Sequence, residues 1–162
     1  MELDNSITTN YVWQIDQRVE EETINVALRK VRLPRALVVP YPRDAGHLIE
    51  NWRQADLFLV AVRYGQVQGY LDLVVQPWHQ AGWIHNLVVA PVFRRQRIGT
   101  ALLQRARQWC QEQSLKKLMA ETSTKNPQAV AFYQRHGFVF CGFNDHYYAN
   151  RDIALFFVCT LG

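Results

Sequence analysis

The sequence predicts an α/β fold: a mixed central sheet of about six to seven strands with helices on both faces. Three observations carry this prediction. Short β-rich runs, Leu57 to Tyr64 and Val67 to Val75, follow each other across a Gly65-Gln66 turn. Two helices with good start signals, about Ile98 to Gln113 and Asn126 to His136, then alternate with strands. No repeat, low-complexity tract or Gly/Ser linker divides the 162 residues, so one continuous domain over 1–162 is expected.

In chain order, Tyr11 to Gln17 alternates apolar and polar residues, as an opening strand does. Residues 18–42 admit two readings. Val26 to Leu33 alternates like a strand, Glu20 to Leu28 could start a helix, and Pro34, Pro40 and Pro42 interrupt either one. Asp44 is a candidate N-cap for a short helix to about Gln54. After the hairpin come a loop from Gln76 to Gly82 and a strand from Trp83 to Val89. The helix from Ile98 has Ala101, Leu102, Ala106, Trp109 and Cys110 at helical spacing. Lys117 to Thr122 is the next strand. Asn126-Pro127 then opens a helix as cap and first residue, and Gly137 stops it. Phe138 to Gly142 and Ile153 to Thr160 close the sheet.

Hydrophobic residues are 49% and charged residues 20%, a balance that excludes a largely disordered chain. The longest apolar runs, Leu57 to Val62 and Ile153 to Cys159, fall well short of the ~18 residues of a membrane span. The start, MELDNSITTN, has acids and no apolar stretch of the kind a secretory signal needs. The three cysteines include no CxxC pair, so neither a disulfide framework nor a metal site is expected, and the reducing cytoplasm is the expected compartment. The net charge of +4 is unevenly placed. Seven basic residues between Arg94 and Lys117 face a single acid, Glu112.

That basic stretch is the most informative part of the chain. A strand ends at Val89, and Arg94-Arg95-Gln96-Arg97 then leads into a helix at Ile98-Gly99-Thr100. The first turn of a helix has unpaired N–H groups and the positive end of the helix dipole. Gly99 lets an anion approach the backbone, Thr100 can add a hydroxyl, and three arginines can pair with phosphate oxygens. The chemistry suggested is pyrophosphate binding. A solvated basic loop before an ordinary helix is the plainer alternative. The pattern is neither a Walker A loop nor GxGxxG.

The run Arg94-Arg95-Gln96-Arg97-Ile98-Gly99-Thr100-Ala101 resembles the acetyl-CoA loop of the GNAT acetyltransferase superfamily, Gln/Arg-x-x-Gly-x-Gly/Ala. Leu87 to Pro91 resembles the strand before it. Asn126 to Phe138, with Ala129, Phe132-Tyr133 and Gly137-Phe138, resembles the family's second motif. Arg97 stands where the loop pattern has its first glycine. From Trp83 onward the chain is also similar to streptothricin-type antibiotic acetyltransferases, in Leu118 to Thr122 and Tyr148-Ala149-Asn150. The resemblance implies a GNAT-like fold, an acetyl-CoA-binding half (about 83–162) and an acceptor-shaping half (about 1–82).

It also implies roles. The backbone of Leu87, Val88 and Val89 would pair with the pantetheine arm, where their strand splays from its neighbour, and would polarise the thioester carbonyl. Residues 94–100 would hold the pyrophosphate. Asn126, Ala129 and Phe132 would line the arm, although Asn126 also reads as a simple N-cap. Tyr133 would protonate the departing thiolate, although it also reads as a core aromatic. His85 is a candidate base. Period two puts it on one face with Trp83, Leu87 and Val89, and arylalkylamine acetyltransferases, which are locally similar, have a histidine there. Streptothricin-type enzymes have a glutamate at that place. Asp72, Glu121 and Asp145 are further candidates for holding a cationic acceptor, and a base acting through water is another route.

The expected reaction is direct transfer from acetyl-CoA to a primary amine in a ternary complex, since no cysteine is placed as a nucleophile. The acceptor expected is a small amine, such as an aminoglycoside or streptothricin-like compound. The alternative within the enzyme class is a protein N-terminus or lysine. A homodimer fits the resemblance. A nucleic-acid-binding module using Arg94 to Arg97, or a non-catalytic CoA sensor, ranks below these.

Overall fold

In the computed structural model, which describes residues 6–42, 46 and 48–162, the chain opens with a long antiparallel hairpin. It pairs β1 (Ile7–Val19) with β2 (Ile24–Val39) as a two-stranded sheet of its own. Residues 18–42 are therefore mostly return strand, and the helix beginning at Glu20 does not form. Glu20 and Thr23 exchange backbone hydrogen bonds across the turn. The β-branched Val26, Val31, Val38 and Val39 suit a pleated strand better than a helix. Pro34 is tolerated because the register jumps from Thr9↔Leu37 to Tyr11↔Arg32. Residues 33–36 leave the ladder in a bulge, where a missing N–H costs little.

A short helix, α1 (Leu48–Gln54), leads to β3 (Leu57–Arg63) and β4 (Gln66–Gln76). The proposed cap Asp44 lies outside the described residues. The β3–β4 turn is Tyr64-Gly65, with φ of 50° and 73°. It sits one residue before the Gly65-Gln66 expected, because a two-residue hairpin turn of this hand needs positive φ at both positions. A 3-10 turn at Pro77–His79 leads to β5 (Ala81–Val89), two residues earlier than expected. Then follow α2 (Ile98–Glu112), β6 (Lys117–Ser123), α3 (Pro127–Arg135), β7 (Val139–Asn144) and β8 (Ala154–Thr160).

The six-stranded sheet has the order β3-β4-β5-β6-β8-β7. Its one parallel pair is β5 with β6 and the rest are antiparallel. Direct partners share a face, which places Leu71, Leu73, Ile84, Ala120 and Phe157 together. Against them pack Leu102, Leu103, Ala106 and Cys110 of α2 and Val130 and Tyr133 of α3. All are buried in one core, each large apolar side chain contributing roughly 1.5–3 kcal/mol. At Gly69 the neighbouring strand comes so near that a Cβ would lie 2.5 Å from the Val88 carbonyl oxygen.

Two irregularities position the site. The β5–β6 ladder stops at Ile84↔Ala120, yet β5 runs on to Val89 and β6 to Ser123. The strands splay there. At the same point β5 bulges against β4, since Leu73 pairs with Ile84 and Asp72 with Asn86, leaving His85 as the extra residue. The bulge overturns the period-two reading of this strand. Trp83 shares a face with Asn86 and Val88, while Leu87 shares the other with Ile84.

Candidate active site

The splay opens a cleft of about 530 Å³ between the end of β5, the start of α2 and one side of α3. Leu87, Val88, Val89, Arg94, Arg95, Arg97, Ile98, Gly99 and Thr100 line it, with Asn126, Ala129, Phe132 and Tyr133 opposite. Of the loop residues singled out, Gln96 is absent from the lining, and its carboxamide donates to the Val92 carbonyl at 3.3 Å.

The loop gathers positive charge and unpaired donors at a helix start. Arg97 is the N-cap of α2, with φ 64° and ψ 9° and no side-chain cap. Arg97 carbonyl accepts the first helical bond, from Ala101 at 3.0 Å, so the N–H groups of residues 98–100 lack intrahelical partners. Arg95 is left-handed as well, at φ 65°. An L-residue pays roughly 1 kcal/mol or more for this conformation, which is why a glycine serves well at position 97. Arg97→Gly is expected to raise the stability of the ligand-free protein by about 1 kcal/mol, a few degrees in Tm, readable by thermal unfolding. A fall in Tm would mean that the guanidinium contributes more than the backbone costs.

The arginines differ in role. Arg94 is a brace: its Nε donates to the Val89 carbonyl at 3.0 Å and its Nη1 to the Ser6 carbonyl at 3.3 Å. It thereby ties the end of β5 to the chain just before β1. Arg95 and Arg97 line the cleft from the loop, and Arg135 adds a further guanidinium from the end of α3.

Thr100 makes a contact between helices. Its hydroxyl lies 3.1 Å from His136 Nε2, while His136 Nδ1 lies 2.8 Å from the Phe132 carbonyl. A carbonyl only accepts, so the imidazole of a neutral His136 carries its proton on Nδ1, and Thr100 donates to Nε2. In this arrangement the hydroxyl proton points to α3, and Thr100 still lines the cleft. The contact joins the start of α2 to the end of α3 at the cleft. His136, Arg135, Ile7 and Tyr41 all line the cleft, and none was singled out from the sequence. His136 lay within a recognised motif and was open to notice. Ile7 and Tyr41 carry no local signal.

Asn126 is the N-cap of α3, its Oδ1 accepting from Ala129 N–H at 3.0 Å. It also lines the cleft, so the two readings of this residue are compatible. Tyr133 is buried, its ring lying between Phe138 (centroids 5.2 Å) and Phe157 (6.1 Å). A smaller chamber of about 80 Å³ adjoins the cleft, and Tyr133, Leu87, Asn126, Ala129, Ile7 and Tyr41 line both. His85 and Glu121 line the chamber alone. Asp72 is fully buried and accepts from Asn86 Nδ2 at 2.7 Å, and the Tyr41 hydroxyl donates to Asn86 Oδ1 at 2.6 Å. This network secures the wall beneath Tyr41. Asp145 is exposed beside His146 and lies outside both cavities.

The cysteines stand apart from this chemistry. Cys110 is enclosed in the core and burial pushes its thiol up to about 11, so it stays protonated at neutral pH. Cys141, on β7, is exposed, and partial burial of its sulfur still raises its thiol. In the native protein a thiol reagent is expected to label Cys141 and spare Cys110 until unfolding, with labelling accelerating above neutral pH as Cys141 ionises. Peptide mapping of the labelled protein checks this. Among the described residues no cluster of three or more His, Cys, Asp or Glu could hold a metal, and no helix is long and apolar enough to cross a membrane.

A parallel strand pair that splays beside a helix N-terminus, with a basic loop over it, is an acyl-CoA-type architecture, and comparison with known proteins agrees. The acetyltransferase (GNAT) family matches residues 25–138, and the chain belongs to that family. Among its relatives is the streptothricin acetyltransferase of Streptomyces lavendulae, 29% identical over 90% of this chain and 78% of that protein. Streptothricin acetyltransferase A of Bacillus subtilis (strain 168) is 34% identical over 49% of this chain and 48% of its own length. In three dimensions a nourseothricin acetyltransferase superposes with a TM-score of 0.83 over 99% of this chain and 89% of that one, at 24% identity. A putative streptothricin acetyltransferase from Bacillus anthracis str. Ames, solved with acetyl coenzyme A, gives 0.77 over 100% and 91% at 22% identity.

Proposed function

We propose that the protein transfers the acetyl group of acetyl-CoA directly to the primary amine of a small molecule. The observation that carries this reading is the meeting of two cavities, cleft and chamber, at Leu87 and Tyr133. The pyrophosphate sits at the N-terminus of α2 under Arg95, Arg97 and Arg135. The pantetheine arm runs along the free edge of β5, where the backbone of residues 87–89 binds it and polarises the thioester carbonyl. The amine enters the chamber, loses its proton to His85 or to a water that His85 holds, and attacks the carbonyl carbon. As the tetrahedral intermediate collapses the C–S bond breaks, Tyr133 gives its phenolic proton to the thiolate, and the surplus proton on nitrogen passes to the phenolate, directly or through water. The chamber is narrow, which suits an amine on a slender arm better than a folded protein surface. The relatives named for streptothricin support an antibiotic-like acceptor, and three free cysteines suit the cytoplasm.

The test is CoA release over an amine panel, with initial rates at varied concentrations of both substrates. Intersecting double-reciprocal lines are expected. Parallel lines would mean an acyl-enzyme and overturn direct transfer.

A further inference from the structure

Glu121 lies on the far side of the sheet from Tyr133. Ala120 and its partner Phe157 face α2 and α3, so Glu121 and its partner Phe156 face the other way, with Trp83. The Glu121 carboxylate is buried in the chamber wall at 9% exposure. Its Oε2 accepts from the Tyr147 hydroxyl at 2.6 Å and from Trp83 Nε1 at 3.1 Å. Aromatic rings surround it: Trp83 stands edge-on to Phe156 at 5.7 Å, and Tyr147 to Phe156 at 5.3 Å and to Tyr148 at 5.2 Å. Tyr147 is 39% exposed, so this group reaches solvent behind Glu121, while Glu121 and Tyr148 themselves line the chamber.

A carboxylate steadied by two donors and buried in the wall of a cavity is a receptor for a cation. We infer that Glu121, positioned by Trp83 and Tyr147, anchors a second, non-reacting positive charge on the acceptor. The acceptor class is then an alkylamine with another ammonium group a few bonds from the reacting nitrogen. The reacting nitrogen points inward to Leu87 and Tyr133 while the anchored charge stays toward solvent. This rests on the proposed amine transfer and adds the charge pattern that selects the amine.

The experiment compares 1,3-diaminopropane with propylamine in the wild-type protein and in Glu121→Gln, which keeps the shape and the two accepted hydrogen bonds. The wild type is expected to favour the diamine. Glu121→Gln should lower kcat/KM for the diamine about tenfold, the scale of one hydrogen bond to a charged group, through KM. Propylamine should change less than about twofold. The ratio between proteins cancels the basicities of the amines themselves. Tyr147→Phe should give a smaller loss in the same direction. Equal losses on both amines, or none on either, would overturn the anchor. Calorimetric titration of the CoA-loaded protein with each amine reads the same preference without turnover. A protein that binds the diamine through Glu121 but transfers nothing would sink the transfer reading and leave the anchor standing.

Discussion

Acetyl-CoA is expected to raise the Tm of the wild-type protein and to leave that of Gly99→Glu unchanged. Saturation at about 100 times the dissociation constant adds about 2.7 kcal/mol to stability. In a chain of this size that is roughly 5–10 °C. Gly99 sits in the first turn of α2, and a Cβ there would meet the Phe132 ring at 3.5 Å and Val89 Cγ2 at 3.6 Å. Those are ordinary contacts, so the protein itself has room for one carbon. A glutamate carries two further carbons and a negative charge into the space where N–H groups and arginines converge. It meets the phosphates with bulk and repulsion together. Gly99→Ala separates these causes: it should fold normally and retain most of the shift. A full shift in folded Gly99→Glu would remove the phosphate-loop assignment and put the cofactor elsewhere.

Much of this site was legible because its signals are local. A helix N-terminus, a glycine and an arginine run lie within seven consecutive residues, and Asn126-Pro127 announces its own cap. The structure brings these to one cleft, with Gln96 as the exception. The arginine at 97 illustrates the limit of reading by residue type. It takes a left-handed backbone conformation that a glycine adopts readily, which no propensity scale would predict for arginine. What stayed hidden depended on pairing between distant strands. The extra residue at His85 shows only in the register with β4, so period two carried Leu87 to the wrong face. The reach of Ile7 and Tyr41 into the site likewise depends on how a 13-residue strand and a 16-residue strand fold back on each other. Pro34 argued against that hairpin, and the bulge that absorbs it is a tertiary solution.

Tyr133→Phe should fold, bind acetyl-CoA with nearly wild-type affinity, and lose about 10²-fold or more in kcat. The ring accounts for the first two expectations. It is 5% exposed, packed among Phe132, Phe138 and Phe157, and phenylalanine fills the same volume. Only the hydroxyl is lost, in the residue that borders both donor cleft and acceptor chamber. If that hydroxyl protonates the leaving thiolate, its removal slows the collapse of the tetrahedral intermediate and leaves both Michaelis constants nearly unchanged. A thioester whose thiol leaves readily without protonation should then recover much of the rate in the variant. Comparing acetyl-CoA with an acetyl donor of lower thiol pKa reads this directly. A purely structural role predicts a different pattern, with lowered Tm, raised KM and the same fractional loss for both donors. That pattern would return Tyr133 to the core and leave the proton to reach sulfur through solvent.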